Sequence, residues 1–283
     1  MVTGTRGISP TVRRRRLGTE LRRYRESAGL TIEQVAEHMG CSSSKISRLE
    51  TGQIGSSPQD VRQILTLFQV GEAELVELVE VARQTRQRGW RYRQSGVLTS
   101  DFVEFEQAAA QIRSYEAQCV PGLLQTENYA RTILASVATE PEQIESRVRV
   151  RMQRRSLLVD DDPVRFWCVI DEAVLLRPVG GAAVMRQQVE HLVAMSAMDN
   201  VTLQVLPLRI GAHAGMDGSF ALLRFEHDGD PETVYVTTPA GGLFQEKPDE
   251  LAHYVSIFQK LTAVALTPED STELMNSMAK ESV

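Results

Sequence analysis

Three consecutive serines precede a basic stretch with helical spacing in the segment HMGCSSSKISRLETG, residues 38–52. If this stretch is a short helix, Ile46 and Leu49 face a core while small hydroxyls and one guanidinium face outward. Short side chains at the front of a helix permit close approach to DNA, and an arginine one turn later matches guanine O6 and N7. The alternative is a capped surface helix whose arginine is merely solvated. The outward residues are Ser43, Ser44, Ser47 and Arg48.

A second group of reactive residues lies much later in the chain. Asp171 and Glu172 follow an apolar run, and His213 and Asp217 lie in the glycine-rich stretch GAHAGMDG, residues 211–218. A hydrolase or a metal site uses a histidine with carboxylates. However, no nucleophile elbow, His-Glu-x-x-His or phosphate-binding Gly-x-x-x-x-Gly-Lys accompanies them. We therefore expect no enzyme, metal or cofactor, and interpret His213, Met216 and Asp217 as a loop that contacts a ligand or partner.

Charge is distributed unevenly along the 283 residues, although the net charge is only −6. Residues 1–93 hold 16 Lys and Arg against 10 Asp and Glu, and the remainder holds 15 against 27. A basic first part favours a polyanionic ligand there. No apolar run is long enough for a membrane helix, and no secretory signal is expected. The three cysteines lie far apart, which favours free thiols and a cytoplasmic protein.

Helix signals follow one another through the first 85 residues. Apolar residues at helical spacing are separated by Gly29, Gly40 and Gly52, and Thr31 and Ser42 are placed as N-caps. Pro58 is placed as the first residue of a fourth helix, and a fifth begins near residue 71. We predict an all-α domain of five helices over residues 1–85. Its second and third helices form a helix-turn-helix.

Residues 86–283 are predicted to form a mixed α+β domain with a helical first half and a small sheet. The patterns of residues 97–160, including SDFVEFEQAAAQIRSYEAQ, are helical in appearance. Strand-like runs begin after Pro163: VRFWCVID, VTLQVLPL, FALLRFE and TVYVTT. An amphipathic helix over residues 182–198 separates the first two runs. Two further segments, KPDELAHYVSIFQKLTAVA and PEDSTELMNSMAK, follow the last of these runs.

The segment LRRYRESAGLTIEQVAEHMGCSSSKISRLETG resembles the Xre-type, phage-repressor-like helix-turn-helix. This resemblance implies that Ser43, Ser44 and Arg48 read bases, that Ser42 and Lys45 lie near phosphates, and that Arg25 pairs with Glu50. It also shows a departure, because Ile32 replaces the usual phosphate-donating glutamine after the cap. The Thr31 cap can still offer backbone amides there. We expect compensating charge from a basic N-terminal tail and the first helix: Arg13, Arg14, Arg15, Arg16, Arg22 and Arg23.

The remainder resembles the C-terminal domain of the actinobacterial WhiJ-like regulators. The motifs are RGWRYRQ, YEAQCVPGLLQTENYAR, IDEAVLLRPVGG and VTLQVLPLRIGAHAGMDGSFALLRF. The resemblance implies a cytoplasmic transcriptional regulator, nucleoid-associated when bound, whose second domain senses a small ligand or a small cognate protein. We expect a homodimer on double-stranded DNA, with half-sites about one helical turn apart. An antitoxin-like protein that binds a small neighbour-encoded partner stays open as the alternative.

Overall fold

The computed structural model describes residues 10–85, 101–138, 140–226, 232–238 and 241–281. The chain divides into two compact units between Ala108 and Ala109. The domain boundary predicted at residues 85 and 86 adjoins residues 86–100, which lie outside the described part. No helix within the described residues is long and apolar enough to cross a membrane.

The first unit is helical, and local capping signals set its helix ends. The Thr31 hydroxyl accepts from the Gln34 amide while the Gln34 side chain accepts from the Thr31 amide. Ser42 and Ser57 cap the two helices that follow, and Pro58 is a first-turn proline. The five predicted helices are confirmed. Within the described residues the helices are α1 (Pro10–Ser27), α2 (Ile32–His38), α3 (Ser43–Glu50), α4 (Pro58–Leu67), α5 (Glu72–Thr85) and α6 (Asp101–Ala108).

The core of the first unit takes residues from α1 to α5. Its members include Leu17, Val35, Ile46, Val61 and Leu78, each at most 5% exposed. Burying such side chains contributes roughly 1.5–3 kcal/mol each. Since Ile46 lies in this core, the orientation of α3 is fixed by packing rather than by its exposed residues.

The second unit is built on a mixed six-stranded sheet in the order β3-β2-β1-β4-β5-β6. Strands β1, β2 and β3 are parallel to one another, whereas the pairs β1–β4, β4–β5 and β5–β6 are antiparallel. The predicted α+β class is confirmed. The strands are β1 (Gln111–Glu116), β2 (Arg165–Asp171), β3 (Val201–Leu206), β4 (Phe220–Arg224), β5 (Thr233–Thr238) and β6 (Gly241–Gln245).

Both faces of β2 and β3 are largely buried, as is usual for parallel strands. One face carries Tyr115, Val169 and Leu222 and packs against Phe258 and Leu261 of a C-terminal helix. The helices of the unit are α7 (Glu127–Ala135), α8 (Pro141–Arg154), α9 (Glu172–Leu176), α10 (Ala182–Ser196), α11 (Pro248–Val264) and α12 (Pro268–Glu281). The two segments that end the chain, KPDELAHYVSIFQKLTAVA and PEDSTELMNSMAK, form α11 and α12.

One expectation about this unit was wrong. The stretch 100–118, which the sequence pattern predicted to be helical, contains α6 and then β1, a central strand of the sheet. β1 alternates Ile112 and Ser114 on one face with Arg113 and Tyr115 on the other. Its glutamine, arginine and glutamate favour helices, but pairing with β2 and β4 overrides that local preference.

Candidate nucleic-acid interface and the loop of the second unit

The α2–α3 segment forms a two-helix motif with a tight turn. Gly40 lies in the left-handed region at φ 59°, and the Cys41 amide bonds back to the Ala36 carbonyl. Any residue with a Cβ is strained at this φ, so glycine permits the sharp reversal between the helices. The Ser42 side chain accepts from the Lys45 amide at 3.2 Å and begins α3.

The outward face of α3 carries hydroxyls and positive charge and no exposed carboxylate. Ser44, Ser47 and Arg48 are exposed, Ser43 is half-buried, and Ile46 and Leu49 are 2% exposed. The Arg48 Nε donates to the Ser44 carbonyl at 3.3 Å. Within the described residues Arg48 has no carboxylate partner. Its remaining guanidinium donors are therefore available for a ligand.

Two cations predicted to contact phosphates already have protein partners. The Lys45 ammonium lies 3.4 Å from Asp60 on α4, and the Arg22 Nε lies 2.8 Å from Glu26. The Arg22–Glu26 pair is solvent-exposed and the Lys45–Asp60 pair is partly exposed, and pairs at the surface are worth about 0–1 kcal/mol. A phosphate can replace either carboxylate at small cost.

Arg25 and Glu50 form a buried, two-fold hydrogen-bonded ion pair between α1 and α3. Nε donates to Oε1 at 2.7 Å, and Nη2 donates to Oε2 at 3.0 Å. The third donor, Nη1, reaches the Leu30 carbonyl at 2.9 Å. The hydrogen bond to Glu50 raises the pKa of Arg25, so the guanidinium remains charged at any physiological pH. This pair aligns α3 rather than offering a ligand contact.

Two close contacts at glycines also support α3, and the sequence alone did not reveal them. A Cβ on Gly18 would lie 2.5 Å from the Glu50 carbonyl oxygen, and one on Gly52 would lie 2.8 Å from the Arg15 Cα. The C-terminal end of α3 therefore packs directly on the backbone of α1. Neither glycine has a side chain from which its role could be predicted. The role of Gly18 is visible only in its contact with Glu50, which is distant in the sequence.

The predicted basic tail is not a separate tail: Arg13–Arg16 lie within α1. All four are half-buried. The Arg15 guanidinium lies 5.5 Å from the centre of the Phe105 ring, and Arg16 lies 3.4 Å from Glu77. Arg15 also packs against Gly52, which places this part of α1 on the end of α3. Such charges can still meet DNA, but from a fixed helix.

In the second unit, the loop 211–219 follows the carboxyl end of β3 and leads into β4. His213 Nδ1 accepts from the Gly215 amide at 3.1 Å, and its Nε2 lies 3.7 Å from Asp171. Asp171 also accepts from the Tyr115 hydroxyl and from the Ala173 amide. Met216 is 68% exposed and Asp217 is exposed. His213 thus anchors the loop, whereas the side chains of Met216 and Asp217 are exposed to solvent.

Asp171 and Glu172, the carboxylates considered for catalysis, accept hydrogen bonds from backbone amides of the same unit. Asp171 caps α9 through the Ala173 amide, and Glu172 accepts from the Leu208 amide at 2.7 Å. Burial raises the pKa of Tyr115, and the neighbouring Asp171 carboxylate raises it further. The phenol therefore remains protonated and acts as a donor to Asp171.

Two family models match the chain. Residues 16–78 match a helix-turn-helix domain, and residues 99–277 match DUF5753, a domain of unknown function. The second match spans more than half of the chain. The chain belongs to the DUF5753 family. A search of curated proteins found no match.

The DUF5753 match runs from the start of α6 into α12 and includes the whole sheet and the loop 211–219. The helix-turn-helix match contains α2, α3 and the Arg25–Glu50 pair, and it begins at Arg16. Three of the four consecutive arginines, Arg13–Arg15, thus precede the matched domain.

Alanine replacement of Arg13–Arg16 in this DUF5753 protein is expected to flatten the salt dependence of DNA binding. Each arginine that meets a phosphate contributes about one unit to the slope of log affinity against log salt, so at most about four units disappear. Fluorescence anisotropy of a labelled duplex between 50 and about 300 mM salt measures the slope. Arg186→Ala on α10 serves as the matched control. An unchanged slope in the quadruple variant means that this part of α1 does not meet DNA.

Proposed function

We propose that this DUF5753 protein is a sequence-specific DNA-binding transcriptional regulator. The observation that carries the proposal is the exposed face of α3, where Ser44, Ser47 and an unpaired Arg48 project from a helix-turn-helix. A recognition helix inserts this kind of face into the major groove. The Ser42 cap and the first amides of α3 suit a phosphate at the groove edge.

We also propose that the protein acts as a homodimer. One recognition helix contacts few base pairs, whereas two related by symmetry double the contacts and raise specificity. The half-sites are then about 34–36 Å apart, one turn of DNA. A cytoplasmic location, and membership of the finer WhiJ-like group within the helix-turn-helix regulators, stay predictions.

The DUF5753 unit is proposed to bind a signal rather than to catalyse a reaction. Its loop 211–219 offers Met216 and Asp217 on a scaffold anchored by His213 and Tyr115. Loops fixed on a rigid sheet commonly carry binding residues. In the antitoxin-like alternative, this unit binds a small neighbour-encoded partner as the main task and DNA binding serves autoregulation; that alternative stays a prediction.

Capture of DNA fragments from the source genome on the purified full chain tests the proposed function. We expect enriched fragments to share an inverted repeat with half-sites about 10–10.5 base pairs apart, centre to centre. A footprint on one such fragment, followed by its loss on a scrambled duplex, establishes sequence specificity. Enrichment without a shared sequence contradicts the proposal.

A further inference from the structure

A small cleft lies between the loop 211–219 and α11 in the DUF5753 unit. Its volume is about 60 Å³. Apolar and aromatic side chains form one part of its lining, and backbone, Asp217 and Ser219 form the rest. The lining side chains used below are Asp217, Phe220, Val236, His253, Tyr254 and Ile257.

The cleft lies at the point where the strand order changes direction. From β1 the sheet extends through β2 to β3 on one side. The chain then crosses back and adds β4 on the other side of β1. Phe220 at the start of β4 lies directly opposite Tyr115 near the end of β1. In open α/β sheets, ligands bind outside the carboxyl ends of strands at such a switch point. The position therefore favours a binding site.

Fixed contacts hold the loop in place over this end of the sheet. A Cβ on Gly215 would lie 2.5 Å from the Tyr115 ring, so the loop backbone rests on that ring. The Ser219 hydroxyl accepts from the Ala117 amide at 2.9 Å, and His213 accepts from the Gly215 amide. A loop held in this way has little conformational entropy left to lose when a ligand binds.

The electrostatic balance of the cleft is negative. Asp217 is exposed, and within the described residues no cation pairs with it. The other carboxylate nearby, Glu250, lies 3.1 Å from Lys247, which offsets its charge. Burial raises the pKa of Tyr254, and the charges of Asp217 and then Glu250 raise it further, so both carboxylates act on the phenol. His253 is the remaining titratable group of the lining.

The aromatic part of the lining is ordered by ring contacts. The Phe220 and Tyr254 ring centres are 5.0 Å apart in an edge-to-face arrangement, and His253 lies 5.9 Å from Tyr254. Val236 and Ile257 complete the apolar surface. Aromatic rings beside a carboxylate are the combination that attracts organic cations.

We propose that this cleft binds an organic cation, a primary ammonium or guanidinium group on a short apolar stem. Asp217 accepts hydrogen bonds from the cation, and Phe220, Tyr254 and Ile257 cover the stem. The volume admits a small group, such as an ammonium or guanidinium head with the nearest part of its stem, and excludes a larger ligand. The inference rests on the proposed signal-binding role of the unit and names the chemistry of the signal. The bound cation is either a free small amine or a basic side chain of a partner protein. Such a partner also covers Met216.

Amide NMR titration of the full chain, without DNA, tests the proposal. The probes are butylguanidinium and its neutral analogue butylurea, and the capped tripeptides Gly-Arg-Gly and Gly-Gln-Gly. We expect saturable shifts at 214–220 and 253–257 with the cationic probes only. If Gly-Arg-Gly binds more tightly than butylguanidinium, the cation belongs to a partner protein. If butylguanidinium binds more tightly, the cation belongs to a free small amine.

Asp217→Asn is expected to weaken cation binding about fivefold, as for an exposed ion pair. Glu269→Gln on α12 makes the same charge change on an exposed residue outside the lining and is expected to leave binding unchanged. Equal binding of butylurea, or equal weakening by both variants, overturns the proposal. Because DNA is absent from this measurement, its failure is distinct from a failure of the DNA-capture experiment.

Discussion

Replacing Glu50 with alanine is expected to destabilise the helix-turn-helix unit by about 3–5 kcal/mol. Arg25 and Glu50 have side chains only 9% and 6% exposed, and two hydrogen bonds of 2.7 and 3.0 Å join them. Without Glu50 the Arg25 guanidinium retains the Leu30 carbonyl at 2.9 Å and, at 3.6 Å, the half-exposed Glu26 carboxylate, which replaces neither short hydrogen bond. Since whole domains are stable by about 5–15 kcal/mol, this loss removes a large share of the unit's stability.

Amide hydrogen exchange measures this loss separately in the two units. Protection at Ile46 and Leu49 on α3 is expected to fall by the full amount, while protection at Leu203 on β3 stays unchanged. The β3 amides thus provide a control within the same molecule. Exchange near the global limit reports the free energy of unfolding of the unit that contains the amide.

Two further variants separate the charge from the packing. Glu20→Ala removes a partly exposed partner of Arg23, and it is expected to cost less than about 1 kcal/mol. Arg25→Met combined with Glu50→Leu removes both charges, and it is expected to recover much of the loss because no buried charge is stranded. If Glu50→Ala costs no more than Glu20→Ala, the pair does not stabilise α3.

The first unit was predictable because its signals are local. Thr31, Gly40 and Ser42 each act within a few residues of their own position, through caps and a left-handed turn. Such features depend on backbone geometry that neighbouring residues fix, so a short stretch of sequence contains the necessary information. The orientation of α3 follows because Ile46 and Leu49 have only one possible core to enter.

The second unit was less predictable because its decisive contacts join distant residues. The sequence did not indicate β1 or β6: β1 obtains its strand partners from Arg165 and Arg224, far along the chain, and Gly242 of β6 lies against the Tyr235 ring. The loop 211–219 was identified by its composition, but Tyr254 joins it only through folding. Local preference cannot encode such pairing, which depends on the whole sheet.

Arg48→Ala is expected to reduce the discrimination between operator and scrambled duplex by about 1–3 kcal/mol per half-site. The guanidinium is the one exposed group on α3 that can bond two atoms of a guanine edge at once. Ser43, Ser44 and Ser47 carry single hydroxyls that both donate and accept, so they distinguish bases poorly. Competition binding of the operator against the scrambled duplex at fixed salt measures the ratio directly.

Arg22→Ala provides the matched control for this loss. Arg22 lies on α1, paired with Glu26, and not on α3, the helix proposed to enter the groove, so we expect it to meet phosphate and no base. Its removal is expected to weaken both duplexes equally and to lower the salt slope by about one unit. If Arg48→Ala behaves in the same way and keeps full discrimination, then Arg48 contacts only the backbone. Specificity would then depend on how easily the operator bends or narrows, because DNA deformability is the remaining source of sequence information.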